Sequence, residues 1–315
     1  MMKLPAFLIR WLVVAALVDW LVTRTLTRSA VFMPKTPLVI LVYQSFGLFG
    51  QFAATLASLL ALVCLAWLAW QGLQTGSKRA PALGLLAAAG LSVYFLFTPA
   101  QGWLSAAYHL TLLTLTAWIG WRAWAGSACI PKKLAGGLVV LALLAGQAYL
   151  LVPAFTSSLQ LPGPPRGVPF LYYLGELLVV LSPIALWWAY ARQAPRWTWM
   201  AAALPALAFT GLRLAVPAMA GILAIWSTGL TLYLPWPLYA LSLWAAGVTA
   251  IHCLKRGQAA GWVVLLLAAG GYAPQLSAQA FLGLLALWLL VPGGFTEAEE
   301  TSQVWSARAL KSRLT

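Results

Sequence analysis

Residues 134–153 read LAGGLVVLALLAGQAYLLVP and contain no charged side chain. A helix of about 20 apolar residues is long enough to cross the ~30 Å hydrocarbon core of a bilayer. The basic pair Lys132 and Lys133 stands directly before this stretch, where the positive-inside rule places cytoplasmic charges. The stretch therefore predicts a transmembrane helix that begins at the cytoplasmic face.

The composition of the whole chain agrees with this first helix. Hydrophobic residues make up 63% of the 315 residues and charged residues only 8%, whereas a soluble globular protein carries about 25% charged residues. So few charges cannot cover a surface that faces water. We therefore expect an all-α, polytopic integral membrane helical bundle with short loops and about ten transmembrane helices, in a range of roughly 8–11. We expect it in a bacterial-type cytoplasmic (inner) membrane.

The net charge of +14 would suggest a nucleic-acid partner in a soluble protein. Here the basic residues stand singly or in pairs at the ends of apolar runs, which is the pattern of topology determinants in a membrane protein. Nucleic acid is therefore not an expected partner. The expected partners are membrane lipids, with other membrane subunits or further copies of the chain as alternatives. The basic positions are Lys78, Arg79, Lys132, Lys133, Arg192, Arg196, Lys255 and Arg256.

The first half of the chain divides into several further apolar runs. The run that begins at Pro37 is too long for one span and is punctuated by Gly47 and Gly50. We therefore predict an interfacial or re-entrant piece over 37–47 and a separate span after it. The predicted spans of this half, besides 134–153, are 5–23, 48–70, 80–98, 102–122 and 169–191.

The second half is less regular. Residues 197–254 fit either two long spans or three short ones, broken near Pro217 and near Pro235. In the run 260–291, Gly270, Gly271 and Pro274 fall within five residues. We therefore predict at least one interrupted helix here. Broken helices occur at membrane depth only where protein or a cavity satisfies the freed backbone groups.

The domain organisation is simple. We predict one transmembrane domain over 1–294, with possible halves 1–155 and 166–294 on either side of a proline-rich loop. The tail 295–315 is predicted to form a cytoplasmic amphipathic helix, because Thr296 and Glu299 fit a capping box at its start.

A small set of polar residues lies inside the apolar runs. Asp19 and Glu176 are the only acidic residues before the tail, and ionisable groups in such runs are costly and point to function. With a rise of 1.5 Å per residue, His109, Gln147 and Arg213 fall at a similar depth, in the half of the membrane away from the cytoplasm. We therefore predict an intramembrane polar cluster of Asp19, His109, Gln147, Glu176 and Arg213, which would act in transport or in a relay.

No pattern points to a cofactor, a metal or a catalytic centre. The two histidines, His109 and His252, are predicted at different depths, which disfavours a bis-histidine haem. The three cysteines are far apart and form no CxxC pair, so neither a disulfide nor a zinc site is expected. The loops carry no nucleophile, phosphate-binding or metal-binding motif. Enzymatic activity is left open but is not expected.

Two functions of different classes remain. The first is membrane transport of a small solute or ion, because interrupted helices beside buried charges are typical of secondary transporters. The alternative is a non-catalytic membrane-embedded subunit of a larger complex, for example a respiratory or energy-converting assembly. The absence of motifs favours the second function and the buried charges favour the first.

Overall fold

A computed structural model describes residues 4–24, 36–75, 78–98, 102–127, 129–159, 168–191, 195, 197–198, 200, 235–271 and 280–292. These residues form nine α-helices and no strand, which confirms the predicted all-helical class. Two π-helical turns, Trp20–Arg24 and Leu267–Gly271, continue α1 and α8. The helices are α1 Ala6–Asp19, α2 Pro37–Gln74, α3 Arg79–Phe97, α4 Gly102–Gly126, α5 Ile130–Ser158, α6 Val168–Tyr190, α7 Pro235–Leu254, α8 Ala260–Leu266 and α9 Ala280–Leu290.

Two of the described helices, α2 and α5, are long and apolar enough to cross a membrane by length and composition. Shorter apolar helices occur over 79–95, 260–269 and 281–290. The count of about ten spans stays a prediction, and residues 201–234, which hold most of the region predicted to form two or three spans, lie outside the described residues. The predicted tail helix over 295–315 lies outside them as well.

The predicted division of the run after Pro37 is wrong. The 37–47 piece and the 48–70 span form one unbroken helix, α2, of 38 residues. The Thr36 side chain accepts a hydrogen bond from the Val39 amide at 3.4 Å, and Pro37 occupies the first turn. Both are strong helix-start signals. A glycine inside a helix costs only about 1 kcal/mol relative to alanine, so Gly47 and Gly50 do not end the helix.

Consecutive helices pack side by side from α1 to α6, and α7, α8 and α9 do the same. The helix α9 joins the two groups, since it also packs against α2, α4 and α5. Every side chain from 281 to 289 is buried, as expected for a helix that is apolar on all sides. The 11 described residues of α9 extend about 17 Å by the helical rise and form part of the core.

The connection between α7 and α8 is a tight turn built around Gly257. This glycine has φ +65°, its amide donates to the Leu254 carbonyl at 2.9 Å, and the Gln258 amide donates to the Cys253 carbonyl at 3.0 Å. These two bonds and the left-handed glycine constitute a Schellman motif. The turn brings α8 so close to α7 that a Cβ on Gly261 would lie 2.8 Å from the Ala250 carbonyl oxygen.

Candidate functional site

The packed pair of α4 and α5 brings two of the predicted polar residues together. Nδ1 of His109 on α4 lies 2.9 Å from Oε1 of Gln147 on α5. The two side chains are only 2% and 5% exposed. A hydrogen bond in such a place is strong because no water competes for its partners.

The helix pair can approach this closely because its contact surface contains small residues. A Cβ on Gly120 of α4 would lie 2.5 Å from Cγ2 of Val140 on α5. Real side chains do not come that close, so the α4–α5 spacing requires glycine at position 120. Small residues of this kind are typical of helix interfaces in membrane proteins.

The chemistry of the amide fixes the tautomer of the histidine. The Oε1 atom of a glutamine can only accept a hydrogen bond, so Nδ1 of His109 carries the hydrogen and donates it. In the neutral ring Nε2 is then the atom with the free lone pair. Gln147 thus fixes the ring's orientation and leaves one basic nitrogen for another partner.

Tyr108, the neighbour of His109 on α4, extends the polar group into the protein core. It is 0% exposed, and its ring makes edge-to-face contacts with the rings of Phe95 on α3, His109 and Phe281 on α9, at centroid distances of 5.7, 5.3 and 6.4 Å. Among the described residues its hydroxyl makes no hydrogen bond. The side chain of Ser92 on α3, also buried, is its polar neighbour.

We call Ser92, Tyr108, His109 and Gln147 the polar core. Its members come from three helices, and α9 contributes Phe281, whose ring contacts that of Tyr108. A buried polar group that lacks a partner costs about 1–3 kcal/mol, and a native protein rarely retains one without a reason. The Tyr108 hydroxyl has Ser92 as its polar neighbour, and a water molecule, a ligand or a relay role would complete its hydrogen bonding.

Asp19, another predicted member of the cluster, is on a different helix. It is the last residue of α1, directly before the π-helical turn Trp20–Arg24, and it is 4% exposed. It takes part in a polar interaction. The helix α1 packs mainly against α2 and α8, whereas His109 and Gln147 lie on α4 and α5.

The remaining predicted site residues lie at or beyond the edge of the described structure. The backbone of Glu176 belongs to α6, and its side chain lies outside the described part, as do Arg213 and Pro274. Gly270 and Gly271 are the last residues of the π-helical turn that continues α8, and the described residues resume at Ala280 of α9. The pairing of Glu176 with Arg213 or His109 and the helix break at 270–274 therefore stay predictions.

Sequence reasoning missed Tyr108 and Ser92. Both stand in apolar runs where a single hydroxyl has no distinctive spacing, and their neighbourhood depends on how α3 packs against α4. The one signal in the sequence was the dipeptide Tyr108-His109, which places two polar aromatic residues in the middle of a predicted span.

A second group of polar contacts lies at the opposite end of the same helices. The Arg122 guanidinium lies 5.7 Å from the ring centroid of Trp118, which stacks on Trp288 of α9 at 6.0 Å. The Lys132 ammonium lies 5.3 Å from the ring of Tyr190 on α6. Cations over aromatic faces at helix ends match the basic and aromatic side chains of a membrane interface.

Among the described residues no group of three or more His, Cys, Asp or Glu side chains is placed to hold a metal ion. The three cysteines are free thiols; Cys64 and Cys253 are buried and Cys129 is exposed. No protein-family model matches the chain, and no curated protein or solved structure is significantly similar to it.

Proposed function

We propose that the chain is a polytopic integral membrane protein of a bacterial-type cytoplasmic (inner) membrane that moves a small solute or ion through its polar core. The observation that carries the proposal is the buried hydrogen bond between His109 and Gln147 beside the buried hydroxyl of Tyr108. Polar groups buried inside apolar helices are expensive and tend to mark substrate or ion pathways.

The outer surface of the described helices supports a lipid environment. Large apolar side chains such as Leu38, Phe52, Trp70 and Trp121 are 62–73% exposed, and they belong to different helices or to well-separated turns of one. Soluble monomers rarely expose contiguous apolar patches larger than a few hundred Å². Lipid tails would cover such surfaces without cost.

The irregular helices support transport in particular. π-helical turns occur often at functional sites, and here one follows the buried Asp19 while the other continues α8. The second turn packs against α1 and α9. Interrupted helices next to buried polar residues are the usual construction of a transporter's binding site.

The proposal is tested with purified protein in liposomes. We would measure uptake of a radiolabelled panel of amino acids, sugars, Na⁺ and Rb⁺, together with proton entry reported by trapped pyranine, against protein-free liposomes. At least one probe should enter faster with the protein. His109→Ala should lower that rate by about tenfold or more, the effect of losing one buried hydrogen bond.

The matched control is Thr116→Val. Thr116 is buried on the same helix, and its hydroxyl donates to the Leu112 carbonyl of its own helix at 2.7 Å. This variant removes a buried hydroxyl outside the polar core, so its uptake rate should equal that of the unmodified protein. Equal loss in both variants, or no protein-dependent uptake of any probe, would contradict the transport proposal.

The alternative, a non-catalytic subunit of a larger membrane complex, is favoured by the first third of α2. No residue from 37 to 49 is buried against the rest of the described structure, although the segment is apolar and contains no charge. A partner subunit would give this segment a packing surface. The native mass in mild detergent decides: one or two copies of 33.8 kDa favour transport, and a larger particle with other polypeptides favours the complex.

A further inference from the structure

We propose that the ion handled at the polar core is a proton, and that His109 binds it at Nε2 while Gln147 holds the ring. This inference rests on the transport function proposed above and names its ion. The inference follows from the chemistry of the polar core: some of its atoms have a lone pair that can accept a proton, and others have a hydrogen that they can donate.

The first step concerns how a proton binds. Nδ1 of His109 already carries a hydrogen, which it donates to Oε1 of Gln147 at 2.9 Å. An incoming proton therefore binds the lone pair of Nε2 and converts the ring to an imidazolium. The proton comes from hydronium, whose O–H bond breaks as the Nε2–H bond forms; no bond of the protein breaks, and the hydrogen bond to Gln147 strengthens because its donor is now charged.

The second step concerns how the proton leaves. A histidine that passes protons through its ring accepts at one nitrogen and releases from the other. Here the partner of Nδ1 is an amide carbonyl, which only accepts hydrogen bonds and is not basic enough to take the proton. The proton must leave from Nε2, the atom at which it arrived. His109 is thus a one-sided carrier, and transport requires Nε2 to face each side of the membrane in turn.

The surroundings of the ring suit a proton better than a metal cation. A proton requires one lone pair, whereas Ca²⁺ and Mg²⁺ require about six or more oxygen ligands. Among the described side chains the polar core offers the oxygens of Ser92, Tyr108 and Gln147, and the last already accepts from His109. The walls next to them, Phe95 and Phe281, are aromatic.

No described charge is near enough to compete for the proton. The helices packed against α4 are α3, α5 and α9. On α4 and these helices the described charged residues start or end the helix, about 20 Å from the polar core by the helical rise. Among the described residues, the titratable side chain that contacts His109 is Tyr108. The others are Arg79 and Tyr94 on α3, Arg122 on α4, and Lys132, Lys133 and Tyr149 on α5, and α9 carries none.

The Tyr108 hydroxyl provides a second, independent test of the proposal. The hydroxyl belongs to a fully buried side chain whose ring contacts His109, and Ser92 is its polar neighbour. If the hydroxyl only filled space, removing it would relieve an unsatisfied polar group and leave proton flux intact. If the hydroxyl relays protons, accepting one at its oxygen as it gives its own hydrogen to His109, removing it slows the flux without destabilising the fold.

The test uses the full chain in liposomes with trapped pyranine, and a K⁺ gradient with valinomycin supplies the driving potential. The unmodified protein should acidify the interior. His109→Gln should lower the flux by about a hundredfold, the usual contribution of a positioned proton-transfer group. Tyr108→Phe should lower it as well, with an unchanged or higher melting temperature in detergent. Thr116→Val, the control on the same helix, should have normal flux.

A change at Gln147 gives the signature that a merely structural role would not produce. Gln147→Glu places a carboxylate beside the ring and stabilises the imidazolium, so the pH of half-maximal flux should move upward by about one unit or more. Gln147→Asn shortens the side chain without adding charge and should lower the flux without moving that pH.

The outcomes separate this inference from the transport function. If a solute of the panel is taken up and no proton moves, or if His109→Gln moves protons at the normal rate while folded, the proton inference is overturned and transport stands. If neither protons nor any solute move, both are overturned. Proton flux that depends on His109 and Tyr108 but not on Thr116 supports both.

Discussion

The polar core can form because residue 120 is a glycine, whose side chain is a single hydrogen atom and lets α4 and α5 approach closely. Gly120 lies on α4, and a Cβ there would come within 2.5 and 2.8 Å of the two methyl carbons of Val140 on α5. Rotating the valine does not help, because one methyl group then replaces another. The same two helices carry His109 and Gln147, whose 2.9 Å bond tolerates little separation.

We therefore expect Gly120→Ala to destabilise the protein by about 1–3 kcal/mol, the usual cost of overpacking a tight interface. Thermal unfolding in detergent, followed by tryptophan fluorescence, measures this. Gly136→Ala is the matched control on α5, since a Cβ at position 136 would have no neighbour within 4 Å. The pair Gly120→Ala with Val140→Ala should recover most of the loss, and equal melting of both glycine variants would contradict the explanation.

At the scale of residues, the sequence predicts a site residue well when its polarity is unusual for the apolar run that contains it. His109 and Gln147 stand out because polar side chains are rare in apolar runs, and depth counting along each helix puts them at one level. Tyr108 and Ser92 do not stand out, because one hydroxyl in a helix can bond to its own backbone, as Thr111 and Thr116 do. Only the packing of three helices reveals that they are neighbours.

At the scale of elements, the hairpin of α7 and α8 depends on the left-handed conformation of Gly257, φ +65°. A residue with a Cβ is destabilised by about 1–2 kcal/mol in this conformation, and asparagine is destabilised less than alanine. We expect melting temperatures in the order Gly257, Gly257→Asn, Gly257→Ala, from highest to lowest.

The control for this series is Gly247→Ala, inside α7, where an added Cβ would meet nothing within 4 Å. Alanine is the better helix former by about 1 kcal/mol, so this variant should melt no lower than the parent. If Gly257→Ala melts as high as Gly247→Ala does, the turn does not contribute to stability in the way described.

The elements also show where sequence patterns mislead. Predicted spans 80–98, 102–122, 134–153 and 169–191 correspond to α3, α4, α5 and α6 because charges or prolines bound each run. The prediction fails at Gly47 and Gly50, where glycines suggest a break that the helix does not have. Pro153 and Pro183 lie inside α5 and α6 without ending them. After Pro153, the Thr156 and Ser158 hydroxyls donate to carbonyls of the preceding turn.

At the scale of the whole molecule, orientation follows from which ends carry the cations. Arg122 and Lys132 lie on either side of the short α4–α5 connection, each over an aromatic ring. Cys129 stands in this connection and is exposed, whereas Cys64 and Cys253 are buried. For the membrane protein proposed above, the positive-inside rule predicts that this connection faces the cytoplasm.

A membrane-impermeant maleimide should therefore label the protein in inside-out vesicles and not in right-side-out vesicles. Cys129→Ser should remove the labelling, and Cys64→Ser, at a buried thiol, should leave it unchanged. Labelling confined to right-side-out vesicles would reverse the orientation, and labelling that survives Cys129→Ser would contradict the burial of the other two thiols.

The arrangement of the bundle is the part that the sequence could not supply. Composition and run lengths indicate helices in lipid, but they do not say which helix is central. The helix α9 looks like any other apolar run, yet it packs against α2, α4, α5 and α8 and contributes Phe281 beside the polar core. Contacts between residues far apart in the chain decide its position, and they leave no local pattern.

The length of α2 has a consequence for the bilayer itself. Its 38 residues carry no charge and extend about 57 Å by the helical rise. Even at a tilt of about 40°, the upper end of the usual range, such a rod rises about 44 Å, well beyond a hydrocarbon thickness of ~30 Å. Hydrophobic mismatch of this size favours lipids with longer acyl chains. We expect the reconstituted protein to melt at a higher temperature in bilayers of long-chain than of short-chain phosphatidylcholine. In the cell, we expect the protein to be enriched in the thicker regions of its membrane.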